Sequence, residues 1–314
     1  MDLLGDVLAV AGVRGTLAAR IEAAQDWAVS WAQVSDAVFY AVTRGTAWLG
    51  VPGAPARQLM TGDIALLPTG AAHALSSEPT RPGAPCDLAA AQAARDSGDV
   101  LCLGTGEVQT HILAAAYRHD PAVSTQVLRL LPPVVHLHPG DGGNGLDDTV
   151  RLVARELSRP QIATGVVLDR LVDVLLVHTL RAWLLEQPDR PQASWLNALS
   201  DPLMTAALTS LHDQPARAWT TDSLAAELAV SRATLSPRFQ AVVGQAPSAY
   251  LTQWRMDLAA RRLRDTDDPL ETIARSVGYT SVYAFSRAFS RERSTAPGHY
   301  RTATRQDTRY SRSA

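Results

Sequence analysis

Apolar and polar residues alternate along the first part of the chain in a way that is typical of strands. Between residues 26 and 76, short apolar runs are separated by turns rich in Gly and Pro. A period of two indicates half-buried strands, and Gly and Pro supply the turns between them. This spacing predicts an antiparallel barrel or sandwich. Residues 77–108 are rich in Ala, Pro and Gly, and we expect an excursion with one short helix near residues 88–95.

The apolar pattern changes to a helical period near residue 147. A stretch from about residue 164 to 186 keeps this period for roughly six turns. Such a helix could mediate dimerisation, or it could pack only against its own barrel, and the pattern leaves both open. Several charged residues interrupt the stretch, which argues against a membrane-spanning helix.

The last hundred residues contain an internal repeat with an offset of about 50 residues. The first copy contains Leu224, Ala225, Leu228, Ser231, Leu235 and Phe239, and the second contains Ile273, Ala274, Val277, Ser281, Phe285 and Phe289. Each copy predicts a helix, a tight turn and a second helix with Ser as its N-cap. The second helix has one apolar face and one small, polar or basic face, as a helix that enters the major groove requires. The segment between the copies, about residues 248–265, predicts one helix of roughly 27 Å, which could place the two recognition helices about one DNA turn apart.

The charge distribution is consistent with a polyanionic partner for this repeat. All 29 basic residues are Arg. From residue 215 onward there are 15 Arg and 9 acidic residues, a net charge of +6, whereas the rest of the chain has 14 Arg and 22 acidic residues, a net charge of −8. A chance surface imbalance would give the same numbers, so the charge favours nucleic acid without requiring it.

The repeat resembles the signature of AraC/XylS-type transcription regulators. The matching segments are residues 273–281, residues 285–289, Pro297, Tyr300–Arg301 and, in the connecting helix, residues 251–256. The resemblance extends from Trp219 to Arg301. It implies a seven-helix DNA-binding domain in which the second helix of each motif contacts adjacent major grooves.

The resemblance also implies which residues face DNA. The first recognition helix would present Arg232, Ala233, Thr234, Ser236 and Arg238, and the second would present Ser281, Val282, Tyr283, Ser286 and Arg287. Arg232 and Arg287 are candidates for guanine edges or phosphates, because a planar guanidinium suits both. Arg238 and Arg291 are expected to contact phosphate or to stay solvated. Each Arg could equally be a solvent-facing charge.

Two segments depart from the family pattern. Pro237 lies inside the first recognition helix, where it removes a backbone donor and favours a kink, so base contacts from the end of that helix are in doubt. Residues 293–296 stand where the family usually has an aromatic residue, Gly and Ser, which predicts a looser turn away from the bases.

Residues 62–73 match the second cupin motif, in which Gly is followed by five residues, Pro-x-Gly, two residues and His. A cupin-like barrel followed by residues 131–136 and then helices resembles the sensor domain of one AraC subgroup. This resemblance implies a barrel pocket for an effector. The candidates for lining it are Trp31, Tyr40, Trp48 and His73. All four could equally be ordinary core side chains.

The sequence predicts no metal, no cofactor and no catalytic residue. Metal cupins supply further ligands from an earlier strand, but residues 39–45 contain no His, Cys or carboxylate, and one imidazole cannot hold a metal ion. His136 and His138 would share one face of a strand, yet no third ligand can be placed beside them. We therefore expect satisfied or exposed side chains there, and also at His111 and His119.

Two cysteines are too few for a disulfide scaffold, and we expect a reducing cytoplasm. Cys86 and Cys102 lie on either side of the Ala- and Gly-rich excursion. A redox switch formed by this pair is a hypothesis, and incidental cysteines are the commoner alternative.

These features predict an α+β multidomain protein. A cupin-like β-barrel sensor would occupy residues 1–145, and a helical connector, which is a candidate for dimerisation, residues 146–200. An all-α AraC-type DNA-binding domain with two helix-turn-helix motifs would occupy residues 201–301, and a disordered tail residues 302–314. We predict a sequence-specific transcription regulator controlled by a small-molecule or redox signal. Its partners would be double-stranded DNA, an effector and a second copy of the chain, with RNA polymerase as a further candidate and no membrane.

Two other classes of function compete with this prediction. A metal-dependent cupin enzyme with an appended DNA-binding domain would need a metal triad. A helical adaptor would use the repeat for protein contacts, which the basic charge and the paired Ser caps disfavour. Activation and repression of transcription both remain open.

Overall fold

The computed structural model describes residues 3–97, 99–118, 128, 130–138, 145–159, 161–186 and 194–304. These residues form two compact units. One is rich in strands and begins at Val13; the other is helical and combines α1 (Leu3–Ala11) with the chain from residue 194 onward. No helix in the described ranges is both long enough and apolar enough to cross a membrane.

Two sheets form the strand-rich unit. The first contains β1 (Arg14–Gln25), β3 (Ala37–Arg44), β6 (Ile64–Leu67), β9 (Leu101–Leu103), β10 (Thr105–Arg118) and β11 (Val135–Leu137), in the order β11-β6-β3-β10-β1-β9. The second contains β2 (Ala28–Trp31), β4 (Ala47–Gly50), β5 (Arg57–Leu59), β7 (His73–Ser76) and β8 (Ala84–Pro85), in the order β5-β4-β7-β2-β8. Side chains from both sheets share one apolar core. This arrangement confirms the predicted cupin-like architecture, although the described strands do not close into a complete ring.

Strand β3 shows why some apolar runs do not alternate. It lies between β6 and β10. Tyr40 and Val42 belong to the core between the sheets. Phe39 is buried as well, and its ring packs edge-on against Tyr117. A strand that is covered on both faces requires apolar residues at successive positions.

The excursion at residues 77–108 has more regular structure than the sequence predicts. The expected short helix is present as α2 (Leu88–Ser97). In addition, β8 pairs in parallel with β2, and β9 pairs in parallel with β1. Strand β1 itself precedes the region from residue 26 in which strands were expected.

Helices α3 (Leu146–Ser158) and α4 (Thr164–Glu186) pack against the first sheet. The Tyr117 hydroxyl donates to the Val172 carbonyl oxygen at 2.9 Å, and the Gly15 N–H donates to Asp173 Oδ1 at 2.7 Å. A Cβ on Gly15 would lie 2.5 Å from Val172 Cγ1, so glycine permits this close approach. Helix α4 therefore packs on its own unit with one side, while its dimerisation role stays a prediction.

The helical unit is built around one long helix. Besides α1 it contains α5 (Trp195–Ala198), α6 (Pro202–Asp213), α7 (Thr221–Glu227), α8 (Arg232–Val243), α9 (Pro247–Asp265), α10 (Leu270–Ser276) and α11 (Val282–Arg293), and residues 297–304 are also helical. Residues 202–304 thus hold the seven helices that the resemblance implies. One side of α9 is buried and includes the side chains of Tyr250, Leu251 and Trp254.

The two ends of the chain differ from the predicted boundaries. Helix α1 packs against α6 and α9, so residues 3–11 group with the helical unit, while the sensor domain of residues 1–145 stays a prediction. Residues 302–304 continue the last helix, whereas residues 305–314 of the predicted tail lie outside the described residues.

Candidate nucleic-acid interface and sensor core

The first helix-turn-helix motif consists of α7 and α8. Helix α7 begins with a capping box, in which the Ser223 N–H donates to Thr220 Oγ1 at 3.0 Å and the Thr220 N–H donates to Ser223 Oγ at 2.9 Å. Ser231 is the N-cap of α8, because its Oγ accepts the Thr234 N–H at 3.0 Å. These bonds fix the start of both helices and hold the tight turn between them.

The second motif consists of α10 and α11, and Pro269 stands at the start of its first helix in place of a capping box. Ser281 is the N-cap of α11 and accepts the Ala284 N–H at 3.4 Å. Gly278 has a φ of 82° in the turn, and a Cβ there would lie 2.9 Å from the Ala216 carbonyl oxygen and 2.8 Å from the Arg255 guanidinium. Glycine is therefore required both by the backbone conformation and by the lack of space.

Helix α9 connects the two motifs. It begins with Pro247 at its first position and extends over 19 residues, a length of roughly 28 Å. It packs against α8, α10 and α11. Both motifs are therefore supported by one continuous helix, as the predicted connecting helix requires.

The predicted DNA-facing residues of α8 lie on its outer surface. Arg232, Ala233, Thr234 and Arg238 are exposed and Ser236 is half-buried, while Leu235 and Phe239 are fully buried on the other side. Two of the arginines already have acidic partners. Arg232 lies 3.0 Å from Asp222 Oδ2, and Arg238 lies 2.9 Å from Asp201 Oδ2. Asp201 also accepts N–H groups as the N-cap of α6, so Arg238 links α8 to the start of that helix.

The predicted residues of α11 also face outward. Ser281, Tyr283 and Arg287 are exposed, with Tyr283 at 72%, and Val282 and Ser286 are half-buried. The Arg287 guanidinium lies 5.8 Å from the centre of the Tyr283 ring. This pair presents a flat, cationic surface on the exposed side of the second recognition helix.

The structure shows the backbone at the two segments that depart from the family pattern, which are Pro237 and residues 293–296. Helix α8 continues from Arg232 to Val243 without interruption, with the Pro237 ring exposed. At the end of α11, Ser294 takes the left-handed conformation with a φ of 54°, whereas the equivalent C-cap of α8 is Gly244 with a φ of 85°.

Comparisons with known proteins agree with this geometry. Residues 2–185 match the cupin family, and residues 224–303 match a helix-turn-helix domain. A putative AraC-like transcription regulator of Streptomyces lividans is 38% identical over 306 residues, which is 96% of this chain and 98% of that protein. The chain belongs to the AraC-like transcription regulators.

Other members of the family match over most of their length. The regulator AlkR of Acinetobacter baylyi is 30% identical to this AraC-like chain over 88% of the chain and 91% of AlkR. Among solved structures, the DNA-binding domain of AdpA in complex with a target DNA is 29% identical to this chain, with a TM-score of 0.32. The match covers 34% of this chain and 96% of the AdpA domain. The family assignment confirms the predicted class: a DNA-binding transcription regulator with a cupin-like N-terminal domain, in preference to the cupin enzyme.

In this AraC-like regulator, His73 lies in a buried cluster with two of the predicted pocket residues. His73 Nε2 is 2.7 Å from the Tyr40 hydroxyl, and the Trp31 ring stacks on the imidazole at a centroid distance of 5.0 Å. Burial lowers the pKa of His73, so the neutral imidazole is favoured. Burial also raises the pKa of Tyr40. Trp48 does not join this cluster, since its neighbours Ala47 and Leu49 face the core and strand residues alternate.

The His73 cluster does not fit the metal of a metal-dependent cupin. Nδ1 of His73 lies 2.7 Å from the Ala71 carbonyl oxygen, so both ring nitrogens have hydrogen-bond partners. The neighbouring strand offers Tyr40 instead of a further imidazole or carboxylate. The arrangement is that of a satisfied buried histidine.

The two cysteines differ in environment. Cys86 is half-buried against the core of the strand-rich unit, and burial raises the pKa of its thiol. Cys102 is exposed, with its Sγ 3.9 Å from the Val100 carbonyl oxygen. Both are free thiols. Burial therefore disfavours the thiolate form of Cys86, and the redox role of the pair stays a hypothesis.

The remaining histidines have neighbours that the sequence did not reveal. Both His136 and His138 contact Asp63, at 3.0 Å and 3.2 Å. His111 Nδ1 lies 3.9 Å from Glu22 Oε1, and His119 is outside the described residues. Asp63 is the residue that sequence analysis missed, because its contacts depend on the pairing of β6 with β11.

Proposed function

We propose that this regulator binds duplex DNA through the outer faces of α8 and α11, with Arg232 and Arg287 as the principal contacts. One observation supports the proposal above all: the two Ser-capped recognition helices expose small, polar and cationic side chains while a single helix, α9, packs against both. A guanidinium can donate two hydrogen bonds at once, either to a guanine edge or to a phosphate. The shorter hydroxyl side chains on the same faces would add further hydrogen bonds; these are Thr234, Ser236, Ser281 and Ser286.

Arg232 and Arg287 differ in the contacts that they would lose on binding DNA. Arg232 would exchange its ion pair with Asp222 for a DNA contact, although this exposed pair contributes little to stability. Arg287 stands beside Tyr283, whose ring could pack against the sugar-phosphate backbone. Arg238 would contact phosphate only by loosening its bond to Asp201, so we give it a supporting role.

The proposal is tested by selection of bound sites from random duplex DNA, followed by gel-shift titration of variants. We expect each protomer to recover two short base patterns in adjacent major grooves. Arg287→Ala should weaken binding or relax selectivity at one base position by about 1–3 kcal/mol. Arg151→Ala, which removes an exposed arginine from the strand-rich unit, is the matched control. Unchanged affinity and selectivity of Arg287→Ala would remove Arg287 from the interface.

We further propose that the strand-rich unit receives the signal. The Trp31, Tyr40 and His73 side chains would contact a small apolar or aromatic effector, since two of the three are aromatic and the third is a neutral imidazole. A change there would shift the placement of two protomers on DNA. We do not propose an enzyme, because the relatives are named regulators and the His73 ring nitrogens are both engaged.

The proposed assembly is a homodimer that acts in the bacterial cytoplasm, where it would meet DNA and, at promoters, RNA polymerase. Helix α4 supports the dimer, because Val167, Val174 and Leu185 are 41%, 41% and 66% exposed at intervals of seven and eleven residues. These intervals place the three side chains along one face of the helix.

A further inference from the structure

The strand-rich unit contains a group of ligand atoms that neither the DNA contacts nor the His73 cluster uses. Strand β11 pairs antiparallel with β6, with His136 opposite Ala65 and Leu137 opposite Ile64. Continuing this register places His138 beside Asp63, the residue that precedes β6. Because alternate strand residues share a face, His136 and His138 both approach the Asp63 carboxylate.

The three side chains bring their ligand atoms close together, and both histidines lie within hydrogen-bond distance of Asp63. His136 Nε2 lies 3.0 Å from Asp63 Oδ2, and His138 Nδ1 lies 3.2 Å from Asp63 Oδ1. All three ligand atoms lie within 4.8 Å of one another. Zinc bonds to nitrogen and oxygen of about 2.0–2.1 Å in a tetrahedron put ligand atoms about 3.3 Å apart. The two separations between histidine nitrogen and aspartate oxygen are therefore already close to those around a bound ion.

The burial of the group favours a bound ion over a solvated cluster. Asp63 is 1% exposed and the His136 side chain 12%, whereas His138 is 60% exposed. An ion could enter from the His138 side, and water could complete its coordination there. The Met60 N–H donates to Asp63 Oδ2 at 3.0 Å and orients the carboxylate. Such an outer hydrogen bond is typical of carboxylate ligands.

We propose that Asp63, His136 and His138 bind a divalent first-row transition metal ion of the zinc class. Two imidazoles and one carboxylate suit Zn²⁺, Ni²⁺, Cu²⁺ or Fe²⁺, whereas Mg²⁺ and Ca²⁺ prefer oxygen ligands alone. Each imidazole can turn an unprotonated nitrogen toward the ion by a change of tautomer. The bound ion would link β11 to the turn before β6. This proposal goes beyond the proposed DNA-binding function and does not depend on it.

The alternative is that only hydrogen bonds join Asp63 to the two histidines, and this alternative predicts no metal binding in solution. In that case the two imidazoles donate to Asp63 and the group needs no ion. The two accounts predict opposite results for metal binding, so titration of the metal-stripped full chain separates them.

The experiment is calorimetric titration of the untagged full chain with Zn²⁺, after removal of metal with a chelator. We expect one Zn²⁺ per chain, a higher unfolding temperature with Zn²⁺, and no comparable response to Mg²⁺. His138→Ala changes an exposed residue and should weaken Zn²⁺ binding by about tenfold or more. Asp63→Asn keeps an acceptor for the Met60 N–H but loses the charge, and it should weaken binding similarly.

Two control variants exclude other ligands. His111→Ala removes a half-exposed histidine of the same unit and should leave binding unchanged. The double variant Cys86→Ser with Cys102→Ser should also keep the ion. The proposal is overturned if the wild-type chain binds no Zn²⁺, if His138→Ala and Asp63→Asn bind it as tightly as the wild type, or if loss of the two thiols abolishes binding.

Discussion

At the scale of single residues, the C-caps of the two recognition helices differ in one side chain. Gly244 ends α8 and Ser294 ends α11, and both take left-handed backbone conformations, with φ of 85° and 54°. Glycine adopts this conformation freely, whereas a side chain brings Cβ too close to the backbone. Ser294 is exposed, so its hydroxyl offers little to offset this strain.

Ser294→Gly should therefore stabilise the helical unit by about 1 kcal/mol. Chemical unfolding followed by circular dichroism measures the difference. The reverse change in the first motif, Gly244→Ser, is the matched control and should destabilise by a similar amount. Equal stability of wild type and Ser294→Gly would show that the left-handed serine carries no strain.

We expect His212 to make the helical unit sensitive to acid. It is buried against the Trp254 ring at 3.7 Å, and its Nε2 lies 2.8 Å from the Tyr250 hydroxyl. Burial lowers the pKa of His212 from 6.5 to about 4, even though Asp6 Oδ2 lies 3.7 Å from Nδ1. The folded state thus favours the neutral imidazole, and an unfolded chain binds its proton first as the pH falls.

The sign of this linkage gives a prediction. The contribution of neutral His212 is fully present above pH 6.5 and is lost as the pH falls toward 4, by about 3 kcal/mol in total. Unfolding free energies of the wild type and of His212→Gln, measured between pH 7 and 4.5, test this. The wild type should lose more stability than the variant, and parallel curves would argue against a titrating His212.

Local and distant contacts explain which site residues could be predicted. Ser231 and Ser281 were predictable as N-caps because each bonds an N–H three residues later. Asp63 was not predictable as a partner of the histidines, because its contacts are 73 and 75 residues away in sequence. Trp48 was grouped with Trp31 by residue type, and only the strand register separates them.

At the scale of elements, the same distinction applies. Strand β1 has the sequence RGTLAARIEAAQ, which lacks regular alternation and contains several helix-forming Ala residues. It becomes a strand because it pairs with β10 along its length, with register shifts after Leu17 and Ala23. By contrast, α8 and α11 follow their own apolar period and caps, so local sequence was sufficient to place them.

Helix α4 yields a prediction at this scale. Its buried side packs on the first sheet, while Val174 and Leu185 remain exposed. If a second copy covers this face, Val174→Glu with Leu185→Glu should convert a dimer to a monomer in sedimentation analysis, because two charges would be buried. Met60→Glu, a 56% exposed apolar residue in the turn before β6, is the control and should leave the dimer intact. A dimer that survives both α4 changes would place the interface elsewhere.

At the scale of the whole molecule, the charge is divided between two regions. Residues from 215 onward carry +6, and the remaining residues carry −8. Because an acidic remainder repels DNA, we expect the attraction to come from the arginines of the recognition helices and their surroundings. Binding should then weaken steeply with salt, because each neutralised phosphate releases counterions.

The salt dependence distinguishes two roles for Arg232 and Arg287. A phosphate contact contributes about 0.9 to the slope of log K against log salt, so its loss by substitution with Ala lowers the slope by about 1 and weakens binding to all sequences. A guanine contact leaves the slope nearly unchanged but reduces discrimination at one base pair by about 1–3 kcal/mol. Because the Arg287 guanidinium lies 5.8 Å from the centre of the Tyr283 ring and Arg232 pairs with Asp222, we expect Arg287 to show the guanine pattern and Arg232 the phosphate pattern. Binding isotherms decide between the phosphate role and the guanine role. They are measured at several salt concentrations on the selected site and on a random duplex. A lowered slope for Arg287→Ala would reverse the assignment.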